Sequence, residues 1–371
     1  MSVRIKQVID LLEQFCPPHL AEEGDPIGLQ VGSEHNEVTR VSVALEVTEE
    51  VAEEAIRQGA QLIFAHHPII YRPLKSLRTD QPAGKLLEKL LANRISVYVA
   101  HTNLDTAEGG INDMMAGALG LSGTVPLTQS HSEKLYKLVV FVPTTHLEAV
   151  SGAMFSAGAG HIGNYSHCSF TVEGFGTFMP QDGTDPFIGK QGVLEKVNET
   201  RIETIVTAAG RRAVVEAMLQ AHPYEEVAYD LYAVELQGKS FGLGRIGVLP
   251  SPVSLEDFSE SVKKAFEVPA VRVVGDLNRK VSKVAVLGGS GRSFLKQAIS
   301  SGADVFVTGD IDHHTAHDAL AAGLAIVDPG HHSEQIMKEH MSRWLNGQFH
   351  EKGLNVQAFP SSISTEPFMF R

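Results

Sequence analysis

At 371 residues with 43% hydrophobic side chains, the chain is too apolar for a disordered polymer and too long for one ordinary core, so two or three domains are expected. Its 44 acidic against 31 basic residues leave a formal charge of -13, which excludes a surface built mainly to neutralise a phosphate backbone. Cys16 and Cys168 are too few for a disulfide framework and too far apart for a thiolate zinc knuckle, so the chain suits a reducing cytoplasm and any metal must be held by imidazole and carboxylate.

The opening segment MSVRIKQVIDLLEQF interrupts its apolar residues with charge every few positions and predicts an amphipathic helix with Ile5, Val8, Ile9 and Leu12 on one side. It lacks the apolar stretch of a signal peptide, and no run in the chain reaches the length of a bilayer span. Strand and helix patterns then alternate: VSVAL at 41–45, a helix over 48–59, QLIFA at 61–65, a helix near 84–93, SVYVA at 96–100 and a helix over 111–119. The last third repeats the style. KVAVLGG at 283–289, DVFVTGD at 304–310 and AIVD at 325–328 are followed by helices over 293–301, 314–323 and 333–345.

Between these thirds the texture changes. Residues 130–235 read β-α-β-β-α-β, the ferredoxin-like or split βαβ pattern, with a Gly-, Pro- and Asp-rich excursion at 179–192. The fold class expected is therefore α/β: an outer domain of mostly parallel sheet, residues 1–128 and 236–371, interrupted by an α+β insert over 129–235. Three sequential domains would make the outer thirds close separate sheets; ligand groups in both thirds favour a shared one.

In an open α/β sheet, functional groups gather beyond the carboxyl ends of the strands. Three strands here run into ligand chemistry: QLIFA into His66 and His67, SVYVA into His101 and Asp105, and AIVD into His331 and Glu334. Pro68 biases His67 toward extended backbone, which lets adjacent imidazoles leave the strand and serve neighbouring ions. His331 and Glu334 are three apart at a helix start, hence on one face. Five or six N and O ligands exceed what one tetrahedral zinc needs, so two divalent ions are expected, drawn from Zn, Fe, Mn, Ni or Co. Water held between two such cations can lose a proton near neutral pH and attack a carbonyl, amidine-like or phosphoryl centre.

His101 and His314 are the expected proton carriers, His314 because GDIDHHTAHDA follows a fourth strand. His332 reads as an ordinary packed residue, since its neighbour His331 fits the Glu spacing. Glu46 is a distant candidate for support behind the ligands. GGSGRS at 288–293 lacks GxGxxG spacing and a P-loop Lys and reads as a tight strand-to-helix turn.

Together GLQVG (28–32), AHHPIIYRPLKSL (65–77), VAHTNLDTAEGGIND (99–113), TGDIDHHTAHDA (308–319) and VDPGHHSEQ (327–335) resemble the Nif-three-like family of GTP cyclohydrolase 1 type 2 homologues. The middle third, with HPYEEVAYDLY at 222–232, resembles the PII-like or CutA-like insert of its longer bacterial members. The resemblance implies a dinuclear site on His66, His67, Asp105, His331 and Glu334, with His101 as a further contact, and a ring-shaped homohexamer. It implies a metal-dependent hydrolase acting on a nucleotide or cyclic amide, with a non-catalytic metal- or ligand-sensing protein as the alternative. Membrane and nucleic acid are not expected as partners.

Overall fold

Four-residue runs such as LIFA, SVYV and AIVD carry apolar residues on both faces, and a strand of that kind is stable only where both sides of its sheet are covered. The computed structural model describes residues 2–369 and Arg371 and places these runs at the centres of two mixed α/β sheets. The strands, in chain order, are β1 (Gly28–Val31), β2 (Arg40–Ala44), β3 (Leu62–Ala65), β4 (Ser96–Val99), β5 (Ser122–Pro126), β6 (His131–Pro143), β7 (Ser169–Phe178), β8 (Glu195–Thr207), β9 (Tyr229–Phe241), β10 (Arg245–Ser254), β11 (Arg272–Val274), β12 (Lys280–Ser290), β13 (Val305–Gly309), β14 (Ala325–Asp328) and β15 (Gln357–Pro360). Among the described residues no helix is long and apolar enough to cross a membrane.

The chain divides into two compact units, Met1–His131 with Phe241–Arg371, and Ser132–Ser240. In the first, one sheet has the order β1-β4-β3-β2-β15 and the other β11-β14-β13-β12-β10-β5. The sheets are mixed: β15, β2, β3 and β4 run parallel in one and β12, β13 and β14 in the other, while β1 pairs antiparallel to β4, β11 to β14, and β10 to both β12 and β5. One sequence expectation is corrected here: the outer thirds do not share one sheet. They exchange strands, β15 lying parallel to β2 and β5 joining β10. The central parallel strands are followed by crossover helices with a readable period, whereas the antiparallel partners β1, β5, β10 and β11 lie in or beside Gly- or Pro-bearing stretches.

Side chains alternate across each central strand, so each strand serves two cores. Leu62 and Phe64 of β3 belong to a large core that also takes Val284 and Val286 of β12, Val305 and Val307 of β13, and Val327 of β14. Ile63 and Ala65 of the same β3 pack outward with Val97 and Val99 against Val51, Ala55, Leu87 and Leu90 of helices Glu49–Arg57 and Pro82–Ala92. The last helix, Ile336–Glu351, presents Met337, Met341, Leu345 and Phe349 at four-residue spacing to the large core. The first helix, Ile5–Phe15, buries the four residues its period predicted. Helix 49–57 begins where Thr48 Oγ1 accepts from Val51 N, a cap contributing about 1 kcal/mol.

The second unit forms a four-stranded sheet of order β7-β8-β6-β9. Helices Leu147–Ser156 and Arg211–Ala221 cover it through Val150, Met154, Val214 and Met218, packed on Leu138, Val140 and Ile202.

Candidate metal centre

Because β3 and β4 belong to one sheet and β12, β13 and β14 to the other, the site forms where the carboxyl ends of two sheets approach, not along one sheet edge as the spacing suggested. His66 and His67 leave β3 with their backbone still laddered: His66 N donates to Ala44 O and His67 N to Leu45 O. His66 Nδ1 donates to Ala100 O at 2.9 Å, which fixes its tautomer and turns Nε2 inward. There Nε2 is 3.8 Å from Asp105 Oδ1 and 3.7 Å from Glu334 Oε2. His67 Nε2 is 3.1 Å from Glu334 Oε2, and His331 Nε2 is 3.5 Å from the same oxygen. One carboxylate oxygen thus faces three imidazole nitrogens, two from adjacent residues at the end of β3 and one from the loop after β14.

Three groups of potential ligand atoms fall within 4.8 Å of one another: His66, His67 and His101; His67, His331 and Glu334; His66, Asp105 and Glu334. Of the expected proton carriers, His101 is brought in, its ring 5.0 Å from that of His66. His314 is not. It is exposed on helix His313–Ala321, its ring 5.6 Å from that of His313. His332 is buried and belongs to none of the groups.

The electrostatics of the cluster are strained. Burial drives the pKa of His66 down to about 3, outweighing the attraction of Glu334, so the ring is neutral and offers a lone pair. Burial opposes charge on His67 as well, but the Glu334 and Glu46 carboxylates outweigh it and raise its pKa to about 10. Burial and the neighbouring Glu334 charge push the Asp105 carboxyl well above the usual carboxylate range. For Glu334 burial acts upward too, yet the three imidazoles hold it below that range. His66 Nε2 and Asp105 Oδ1 are buried without a hydrogen-bond partner. Leaving such atoms unmet costs about 1–3 kcal/mol each, and a cation held by His66, Asp105 and Glu334 would satisfy them together. The residues present fit divalent metal with N and O donors.

Each ring is braced from behind. His67 Nδ1 meets Glu46 Oε1 at 2.9 Å, and Thr365 Oγ1 donates to the other oxygen of Glu46, so the carboxylate the sequence left as a distant candidate orients a ring of the cluster. His101 Nδ1 meets Asp25 Oδ1 at 2.8 Å, while Asp25 Oδ2 accepts from Thr102 N and Oγ1. His331 Nδ1 meets Asp310 Oδ2 at 2.8 Å, from a residue held at φ 59°. Neither Asp25 nor Asp310 is singled out by the sequence. Asp25 lies far from any ligand in the chain, and Asp310 is legible only as the residue before the Ile311-Asp312-His313 stretch. Such carboxylate–histidine pairs fix tautomer and raise ligand basicity.

The glycines of GGSGRS have their explanation here. A Cβ at Gly288 would lie 2.7 Å from Glu334 Oε1, and one at Gly289, at φ +63°, 2.9 Å from it and 3.2 Å from His331 Nε2. The stretch is a wall of the site that must lack side chains. Gly288 N donates to Asn112 Oδ1, and Asn112 Nδ2 donates to Asp105 O, which ties that wall to the opposite ligand. A cavity of about 850 Å³ opens beside the cluster, lined by Glu46, His67, His331, Arg272, Asp310 and Phe368 among others.

The family model Duf34/NIF3 (NGG1p interacting factor 3) matches residues 3–367. The chain is 52% identical over 363 residues to a protein of Halalkalibacterium halodurans named GTP cyclohydrolase 1 type 2 homolog, spanning 98% of each. A Bacillus subtilis protein of the same name is 50% identical over 369 residues, covering 100% of this chain and 99% of that one. Among solved structures, a Bacillus cereus protein related to NIF3 superposes with a TM-score of 0.94 at 50% identity over 100% of both chains. Sequence and fold agree over almost the whole length, and the chain belongs to the Duf34/NIF3 family.

Proposed function

We propose that this protein is a metal-dependent hydrolase whose centre would hold two divalent cations on His66, His67, Asp105, His331 and Glu334. The observation that carries the reading is that two of the ligand groups, His67–His331–Glu334 and His66–Asp105–Glu334, have only Glu334 in common. Two otherwise separate donor sets meeting at one carboxylate would suit a pair of neighbouring ions. When bound, the pair supplies Lewis-acid polarisation of the substrate and acidifies water at the site. The chain's own residues do the rest. His66 is held neutral by burial and by its bond to Ala100 O, His67 is aimed by Glu46, and His101, backed by Asp25, holds or moves a proton at its free Nε2.

The substrate class, a nucleotide or another cyclic amide, rests on the names of the relatives and on a cavity of about 850 Å³ open to His67 and His331. Full-length protein reconstituted with Mn, Zn, Co or Fe should bind two equivalents and turn over a member of a nucleotide and cyclic-amide panel. Asp105→Ala should abolish turnover and lower the stoichiometry; activity that survives that substitution belongs elsewhere. The homohexamer is part of the same proposal, and native mass spectrometry of the full chain tests it directly.

A second reading, a metal- or ligand-sensing protein without catalysis, is favoured by an aromatic cavity within the unit Ser132–Ser240, which covers most of the 129–235 stretch read as a PII-like or CutA-like insert. Ligand binding there with no turnover of the panel by the metal-loaded protein would support it.

A further inference from the structure

The unit Ser132–Ser240 contains a cavity of about 640 Å³ that no part of the metal-centre argument uses. That volume lies in the range of small-molecule sites. Its walls are aromatic. Phe178 and Phe187 stand 5.7 Å and 6.4 Å from the ring of Tyr224, and Phe141 and Phe175 line it from β6 and β7. At least two of these rings are exposed to an unusual degree for their size, Phe175 at 67% and Phe187 at 52%, which leaves apolar surface without a cover.

At its wall is a carboxylate. Glu199 on β8 is only 9% exposed, and it accepts a hydrogen bond from Tyr224 Oη at 3.0 Å on Oε1. Gly176 on β7 makes room for it, since a Cβ there would lie 2.0 Å from Oε2. The Tyr224 ring is itself set by its neighbour: His222 Nε2 donates to Phe141 O, its Nδ1 accepts from Tyr224 N, and the two rings stand 5.0 Å apart. No Lys or Arg among the described residues forms an ion pair with Glu199. The one Lys or Arg in the cavity lining, Arg201, is engaged by Glu203 at 2.9 Å and lies 5.7 Å over the Phe141 ring. Glu173, Glu225 and Glu226 also line the cavity, so four carboxylates there face one guanidinium, while Lys196 lies 4.2 Å over the ring of Phe175.

A buried, unpaired carboxylate is costly unless a ligand brings the counter-charge, and aromatic faces attract cations through the ring quadrupole. The same charge balance disfavours phosphate-bearing ligands. We infer that this cavity is a binding site for a small organic cation, an amine or quaternary ammonium carrying a flat apolar body, with Glu199 meeting the charge and the Phe and Tyr rings enclosing the rest. The inference is independent of the reading of the metal centre.

Calorimetric titration of the full-length protein with three probes that share one ring tests it: phenethylamine, 2-phenylethanol and phenylacetate. The amine should bind at least about 10-fold more tightly than the alcohol, a difference of about 1.4 kcal/mol, and phenylacetate should bind least. Glu199→Gln should bring the amine-to-alcohol ratio close to one. Phe187→Ala, at an exposed position that should not disturb folding, should weaken amine and alcohol alike. Equal affinity for amine and alcohol in the natural chain overturns the inference, as does failure of the amine to bind up to its solubility. If Glu199→Gln does not fold, the probe ratio of the natural chain decides the charge and Phe187→Ala decides the location. Unchanged amine binding by Phe187→Ala also overturns it.

Discussion

Gly288→Ala adds one methyl group to the wall of the metal centre without removing a ligand. The new Cβ would stand 2.7 Å from Glu334 Oε1 and 3.1 Å from its Cγ, well inside van der Waals contact. β12 cannot retreat easily: Val286 ladders with Arg245 on one side and Val307 on the other, and Gly288 N is bonded to Asn112. The carboxylate is the part that yields. Overpacking of this kind costs about 1–3 kcal/mol, and a Glu334 displaced by that energy lowers metal affinity by roughly 5- to 150-fold. Gly289→Ala meets both Glu334 and His331 and adds about 1–2 kcal/mol of left-handed backbone strain, so its loss should be larger. A methyl group added at Gly347, in helix 336–351, would have nothing within 4 Å of it, and Gly347→Ala should leave affinity untouched while stabilising by about 0.5–1 kcal/mol. Calorimetric titration with Mn or Zn, elemental analysis after dialysis, and thermal denaturation with and without metal measure all three. If Gly288→Ala binds metal with unchanged affinity and stoichiometry, Glu334 is not a ligand and the proposed centre is wrong.

Asp25→Ala removes the carboxylate behind His101 and should lower turnover or metal affinity about 10- to 100-fold, read as kcat and as metal content; unchanged values for both would leave Asp25 a merely structural residue. Arg245 is buried and gives its guanidinium to Asp113, Gly242 O, Gly244 O and Ala107 O, so Asp113→Ala strands a charge and should cost about 3 kcal/mol in urea unfolding, the low end because Asp113 is itself a quarter exposed. His222 is held neutral, its pKa lowered by burial despite the bond to Phe141 O. The unfolded chain therefore binds this proton more readily, and His222 costs stability as pH falls below the ordinary imidazole value near 6.5 toward the lower folded value. His222→Gln should flatten the acid side of the stability profile across that window, and an identical slope in the variant would remove His222 as its source.

What the sequence determined on its own is what local rules decide. Predominantly apolar β3, β4, β13 and β14 had to be buried on both faces, and the helices around them were legible from their period, including four of the five buried residues of the first helix. The ligand types at strand ends were equally local: His66, His67, His101, Asp105, His331 and Glu334 stand where strands stop, and the structure gathers all six. Tertiary structure decided which sheet each strand joined, because a strand such as β15 or β5 has no periodic signal of its own and takes its place from a partner distant in the chain. It decided that His314, on the same reasoning as His101, stays outside the cluster. It also supplied the bracing carboxylates Asp25 and Asp310 and the meaning of Gly288 and Gly289, since close approach between residues far apart in the chain leaves no mark in either stretch alone. Hydrogen bonds and steric contacts act over a few ångströms in space, and sequence records only those that are also near along the chain.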